Sequence, residues 1–302
     1  MRYSQIGRAD YPRHAQPGQF TLGSSTWQIH YSMRSLVLIV GHGSRDAEAN
    51  QEFERLVARY RARRPDLELR HGYVELAQPS LAEALSDIPS ECQEVTLLPL
   101  FLFAAGHVKN DIPRALTVAR REKPHVTFSV ARELGVHPAM VELTLKRAEQ
   151  VLPNEEAPRT TVIVVGRGTS DPDANSDFCK LARLLAEMRP FAWVVPTFIA
   201  VARPQFPETL QFVARTQPER LLVIPYLLFA GRLLNQLREQ VESFGIQYPG
   251  ITTVLAPQLG VDERLCDLLD ERLDETRHGR APVSCDGRYR VALPSQAENV
   301  GE

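Results

Sequence analysis

Apolar positions in this chain alternate between short continuous runs and stretches with helical spacing. Residues 36–40, LVLIV, form an unbroken run of strand length closed by Gly41, the pattern of a strand buried on both faces. Asp46 is placed to cap a helix in which Phe53, Leu56, Val57 and Tyr60 recur at helical spacing until Pro65 stops it. Residues 71–76 read as a second strand, and a short helix starts near Ser80 and ends before Pro89. A third strand over 95–103, a helix over 111–121, a fourth strand over 126–130 and a last helix over 138–151 follow. Strands alternating with helices predict a parallel sheet covered on both faces.

The same pattern then starts again. VGHGSRDAEANQEF at 40–53 matches VGRGTSDPDANSDF at 165–178, pairing Val40 with Val165, Asp46 with Asp171 and Asn50 with Asn175 at an offset of 125. Much later, LGVHPAMVELTLKR at 134–147 meets LGVDERLCDLLDER at 259–272 in the same register. A tandem duplication is predicted, with copies at 35–152 and 160–276 forming two similar α/β sandwiches joined by a polar linker over 153–159. Residues 1–34 and 277–302 lack periodicity and are expected to be a disordered extension and a flexible tail, with Met33 as a possible original start.

Composition narrows the function. Of 302 residues, 43% are hydrophobic and 24% charged, enough for a sizeable core. Thirty-five Lys and Arg against thirty-seven Asp and Glu leave a formal charge of −2, without the basic footprint of a nucleic-acid binder. The longest apolar run, 95–106, contains Pro99 and falls short of the roughly 20 residues that span a bilayer, so no membrane association is expected. No secretory signal is evident, and a cytoplasmic protein is expected. Cys92, Cys179, Cys266 and Cys285 form no C-x-x-C pair, which argues against zinc or iron–sulfur motifs and for buried, reduced thiols.

Ligands of open parallel sheets bind beyond the carboxyl ends of the strands. In copy one His42 follows the first strand, Glu75 ends the second and His107 lies in the loop after the third. Two imidazoles and a carboxylate suit Co²⁺, Fe²⁺, Ni²⁺ or Zn²⁺, and they can equally act as bases. Each also has a plain structural reading: a loop histidine bonded to backbone, a paired carboxylate, a histidine that only ends an apolar run. Copy two has Arg167 opposite His42 and Ala200 opposite Glu75; with one extra residue allowed before Gly106, Arg232 stands opposite His107. Arginine offers no lone pair but forks well onto carboxylates, so copy two is expected to be a degenerate half kept for shape and anion contacts.

The turns GHGS at 41–44 and GRGT at 166–169 lack the third glycine of a dinucleotide fingerprint, and no phosphate-loop motif is present, so NAD and ATP are disfavoured. Ser44, with its neighbouring amides, is a candidate anion contact or a helix cap, and Arg45 adds a charge beside it.

The two-copy layout, LVLIVGHGSRDAEANQEF, YVELAQPSLAEAL at 73–85 and PLFLFAAGHVKNDIP at 99–113 resemble the class II tetrapyrrole chelatases, in the sirohydrochlorin cobaltochelatase and ferrochelatase group of cobalamin and siroheme synthesis. The resemblance spans about 35–276 and implies two flavodoxin-like three-layer sandwiches. It also implies ATP-independent insertion of a divalent metal into sirohydrochlorin in a cleft between the lobes. His42 and His107 match the family's metal-binding and proton-accepting histidines, and Glu75 its acidic partner. Co²⁺ is the first expectation, because the long two-copy form most resembles cobaltochelatases; Fe²⁺ is next and Ni²⁺ fits the same donors. The chain lacks the histidine-rich tract and M-x-C-x-x-C motif of some long members, so no iron–sulfur cluster is expected. Arg45, Arg167 and Arg232 are expected on the substrate's carboxylate rim, and a monomer is expected because the copies pair internally. A non-catalytic tetrapyrrole or metal carrier and a histidine-dependent phosphatase are the alternatives.

Overall fold

The structure, a computed structural model, describes residues 34–279. The expectations for residues 1–33, for the chain beyond 279 and for Cys285 lie outside the described residues. The first lobe comprises β1 (Arg34–Gly41), α1 (Ala47–Arg63), β2 (Glu68–Tyr73), α2 (Leu81–Ser86), β3 (Cys92–Pro99), α3 (Ile112–Glu122), β4 (Thr127–Val130) and α4 (Pro138–Glu149). The second repeats it with β5 (Thr160–Gly166), α5 (Pro172–Met188), β6 (Trp193–Phe198), α6 (Phe206–Arg215), β7 (Arg220–Pro225), α7 (Arg232–Gln247), β8 (Thr252–Leu255) and α8 (Glu263–Arg277). Each lobe has a four-stranded parallel sheet, ordered β2-β1-β3-β4 and β6-β5-β7-β8. The order reverses between β1 and β3, so the crevice at their carboxyl ends is where a ligand is expected.

The apolar run of β1 is buried on both faces because alternate residues enter different cores. Leu36, Leu38 and Val40 pack under α2 and α3, whereas Val37 and Ile39 face a central core filled by α1, α4, α5 and α8. That central core also takes Val162 and Val164 of β5, so both sheets close on it. The last helices reach across: α4 packs against α5 and β7, and α8 against α1 and β3. Two buried arginines fasten the exchange. Arg147 of α4 donates through Nε to the Leu259 carbonyl at 2.9 Å, and Arg272 of α8 donates through Nη2 to the Leu134 carbonyl at 2.9 Å. These are equivalent positions of the duplication, each gripping the other lobe's loop. The stretch over 153–159, expected as a polar linker, is a 3₁₀ turn (Asn154–Arg159) with Ala157 buried.

Three local expectations need correction. The second strand lies over Glu68–Tyr73, not 71–76, because only Leu69 among its early residues is buried and the edge strand conceals its start in polar positions. The third strand ends at Pro99, which has no N–H for the ladder; the apolar residues beyond it line a cleft instead. Cys92 and Cys266 are buried, but Cys179 is exposed, on the outer side of α5 beside the buried Phe178.

Candidate active site

His42 is held by the turn that follows β1. Gly43 has φ +87°, and a Cβ there would lie 1.7 Å from the Glu75 carbonyl oxygen, so only glycine lets the two loops touch. Across that contact the Glu75 amide donates to the His42 carbonyl at 3.0 Å, after Val74 has donated to Gly41 at 2.9 Å. Glu75 therefore sits in the loop two residues past β2, not at the strand's end as expected, and this backbone pairing aims it at the turn. Leu76, next in the chain, holds a positive φ of 63° and is exposed towards the cleft, as is its counterpart Val201 at 49°.

Ser44 acts within the turn. Its hydroxyl accepts from the Asp46 amide at 3.0 Å, while Asn50 brackets its backbone, accepting from Ser44 N at 2.9 Å and donating to Ser44 O at 2.8 Å. Thr169, Asp171 and Asn175 repeat these bonds in the second lobe, which explains the repeated Asn, while the repeated Asp caps the following helix by accepting from the Glu48 amide in one lobe and the Asp173 amide in the other.

His107 opens a π-helical turn, His107–Asp111, ahead of α3, where a plain loop was expected. The turn brings Asp111 back so that its Oδ2 lies 2.7 Å from Nδ1 of His107. With Nδ1 carrying the proton towards this carboxylate, Nε2 keeps its lone pair on the open side. Sequence reasoning missed Asp111; its spacing of four residues from His107 on a helical turn was the available signal. Lys109 of the same turn pairs with Asp171 of the other lobe at 2.6 Å and anchors it.

The structure brings His42, Glu75 and His107 together, with one donor atom from each lying within 4.8 Å of the others. Glu75 Oε1 is 3.6 Å from His42 Nδ1 and 3.9 Å from His107 Nε2, and the two rings meet edge to face at 4.5 Å. Phe101 flanks both imidazoles, at 6.4 and 6.3 Å between ring centroids. Burial is the main cause that lowers the His42 pKa, aided by His107 and Arg167 and opposed by its bond to Gly43 and by Glu75. A neutral His42 is thereby favoured.

Both histidines face a cleft of about 840 Å³ between the lobes. Arg167 and Arg232 line its far side, the latter at the start of α7. Arg167 reaches back to His42, with Nη1 2.9 Å from Nε2. Arg45 is exposed and is not among the cleft-lining residues, so the structure does not bring it to this site. Apolar side chains such as Phe103, Phe229, Leu76 and Val201 make up much of the remaining wall.

A duplicated pair of parallel α/β lobes, with a two-histidine, one-carboxylate set at the cleft between them, has the architecture of a class II chelatase. The CbiX family model matches residues 36–151 and again 161–276, and the chain belongs to this family. It is 34% identical over 268 residues to the sirohydrochlorin cobaltochelatase of Priestia megaterium, covering 87% of each chain. To the sirohydrochlorin ferrochelatase of Bacillus subtilis it is 28% identical, over 81% of this chain and 92% of that one. The crystal structure of the sirohydrochlorin chelatase SirB from Bacillus subtilis subspecies spizizenii, in complex with cobalt, superposes with a TM-score of 0.68 at 26% identity, covering 82% of this chain and 97% of that one.

Proposed function

We propose that this chain inserts a divalent metal into sirohydrochlorin in the interlobe cleft, with His42, Glu75 and His107 as the groups that receive the metal and the protons. It is a metal chelatase, and the observation that carries the site assignment is the convergence of these three donors, with His42 and His107 lining a cleft large enough for a flat macrocycle and Glu75 beside them. In the reaction an aqueous M²⁺ loses water and two pyrrole N–H protons leave, so that the product carries the metal in their place. Imidazoles bind a borderline ion without the grip of thiolates, which permits its release to the ring nitrogens. His107, oriented by Asp111, is the better placed base, because among the described residues nothing hydrogen-bonds its Nε2 lone pair. Glu75 balances the ion's charge and relays protons outward.

Arg167 and Arg232 supply cationic forks for the substrate's carboxylates, and the apolar wall accepts the ring face. Ser44 lines the cleft, and its hydroxyl, an acceptor in the turn, keeps its proton free to donate to a substrate carboxylate, whereas Arg45 lies apart. Co²⁺ is the proposed metal and Fe²⁺ the next; no ATP, NAD or iron–sulfur cluster takes part. We further propose a cytoplasmic monomer that acts without nucleic acid or membrane partners. No helix among the described residues is long and apolar enough to cross a membrane.

The test is to mix protein, sirohydrochlorin and each of Co²⁺, Fe²⁺ and Ni²⁺, and follow the visible spectrum against the spontaneous rate. Acceleration is expected, fastest with Co²⁺. His107→Ala should abolish it with tetrapyrrole binding retained, and Arg232→Ala should mainly raise KM. Binding without acceleration identifies a carrier instead, and turnover of a generic phosphomonoester a phosphatase.

A further inference from the structure

Arg167 and His42 stand at equivalent positions of the two copies, 125 residues apart, yet their side chains meet, Nη1 to Nε2, at 2.9 Å. A guanidinium has donors only, so Nε2 must be the acceptor and carry no proton. The neutral ring then has its proton on Nδ1, which lies 3.0 Å from the Gly43 carbonyl. With Arg167 in place, neither nitrogen of His42 has a free lone pair for a metal ion. Among the described residues, no arginine caps His107 or Glu75 in this way.

Arg167 itself is exposed, and among the described residues no carboxylate pairs with it. An arginine bonded only to a neutral imidazole is poised to leave. Hydrogen bonds to an ionised acceptor are roughly twice as strong as neutral ones, so an arriving carboxylate outcompetes the ring nitrogen.

We infer that Arg167 is a positioning residue that caps His42 in the empty enzyme and uncaps it when a carboxylate of the tetrapyrrole draws the guanidinium away. The degenerate copy thus contributes a lock to the active one. Metal is then held by all three donors only when a ring is present to receive it, which makes tetrapyrrole the first substrate to bind. This inference rests on the reading of His42 as a metal ligand.

The test uses the full chain and Co²⁺ alone, with binding read from the visible ligand-field bands. Arg167→Ala and Arg167→Met, the second keeping bulk without donors, should bind Co²⁺ on the order of tenfold tighter than the unaltered chain, since the metal no longer displaces a hydrogen bond. Adding His42→Ala to either variant should remove the gain. Unchanged or weaker Co²⁺ binding in both Arg167 variants, or a gain that survives loss of His42, overturns the lock. If His42→Ala alone weakens Co²⁺ binding while the Arg167 variants do nothing, the lock falls and the ligand reading stands. If His42→Ala leaves Co²⁺ affinity unaltered even in the Arg167→Met background, where the ring is uncapped, both fall together. In steady state the apparent KM for Co²⁺ should drop as tetrapyrrole rises in the unaltered chain and be independent of it in Arg167→Met.

Discussion

Nδ1 of His107 lies 2.7 Å from Oδ2 of Asp111, one turn further along the π-helical segment. This pair decides which nitrogen of His107 faces the cleft, because a carboxylate can only accept and so draws the ring proton to Nδ1. Asp111→Asn offers an amide that can hold either tautomer. The expected result is a loss on the order of 10–100-fold in Co²⁺ affinity or turnover, as for other partners that orient a ligating histidine. Isotope-edited NMR of the His107 ring should show the mixed tautomer, and tetrapyrrole affinity should stay unchanged.

Gly43 and Gly168 make the same close approach in the two lobes, but only the first supports a donor set. A Cβ at Gly168 would lie 2.4 Å from the Ala200 carbonyl oxygen. Gly43→Ala and Gly168→Ala should each cost more than the about 1–3 kcal/mol of strain at positive φ alone, because the added Cβ also collides with a backbone carbonyl, seen in chemical denaturation. Co²⁺ binding should fall only in Gly43→Ala, where the displaced backbone carries Glu75; an equal loss in both would contradict the assignment of Glu75.

Arg147 is buried and bonds both to the Leu259 carbonyl and to the buried Asp262, 3.2 Å away. Arg147→Ala leaves Asp262 with Lys146 and the more distant Arg264, and an expected cost of about 3 kcal/mol follows from breaking a buried pair. Because α4 and α8 cross between lobes, thermal unfolding should remain a single transition at a lower Tm. Two separated transitions would mean that the lobes fold independently.

Burial holds His42 below the ordinary imidazole range, and His71 on β2 is lowered for the same main reason. The folded chain therefore binds fewer protons than the unfolded one between the depressed values and about 6.5. In that window stability rises with pH and is lost as pH falls. Denaturation midpoints measured from about pH 7 to pH 5 should decline, and His42→Asn together with His71→Asn should flatten the decline. An unchanged slope in the double variant would assign the pH dependence to other groups.

Much of this was legible in the chain itself. Hydrophobic period is a local property, so the run at residues 36–40, the helix after Asp46 and the exact repeat at 125 residues announced two parallel α/β lobes. The crevice rule then placed His42, Glu75 and His107 at one edge, because the carboxyl ends of neighbouring parallel strands are close whatever their order. The loss of all three donors in copy two was equally a matter of reading residues.

Only the tertiary structure decided what crosses between the copies. The helical patterns of α4 and α8 report an apolar face but not which sheet it covers, and packing assigned each to the opposite lobe. Loop paths were also hidden, since they depend on contacts such as Gly43 against Glu75 rather than on periodicity; this moved Glu75 off its strand and returned Asp111 to His107. Sequence alone indicated that Arg167 stands where the first copy has His42. Its bond to the histidine it mirrors depends on how the two lobes face each other across the cleft, a relationship set by the shared core and not by any local stretch of sequence.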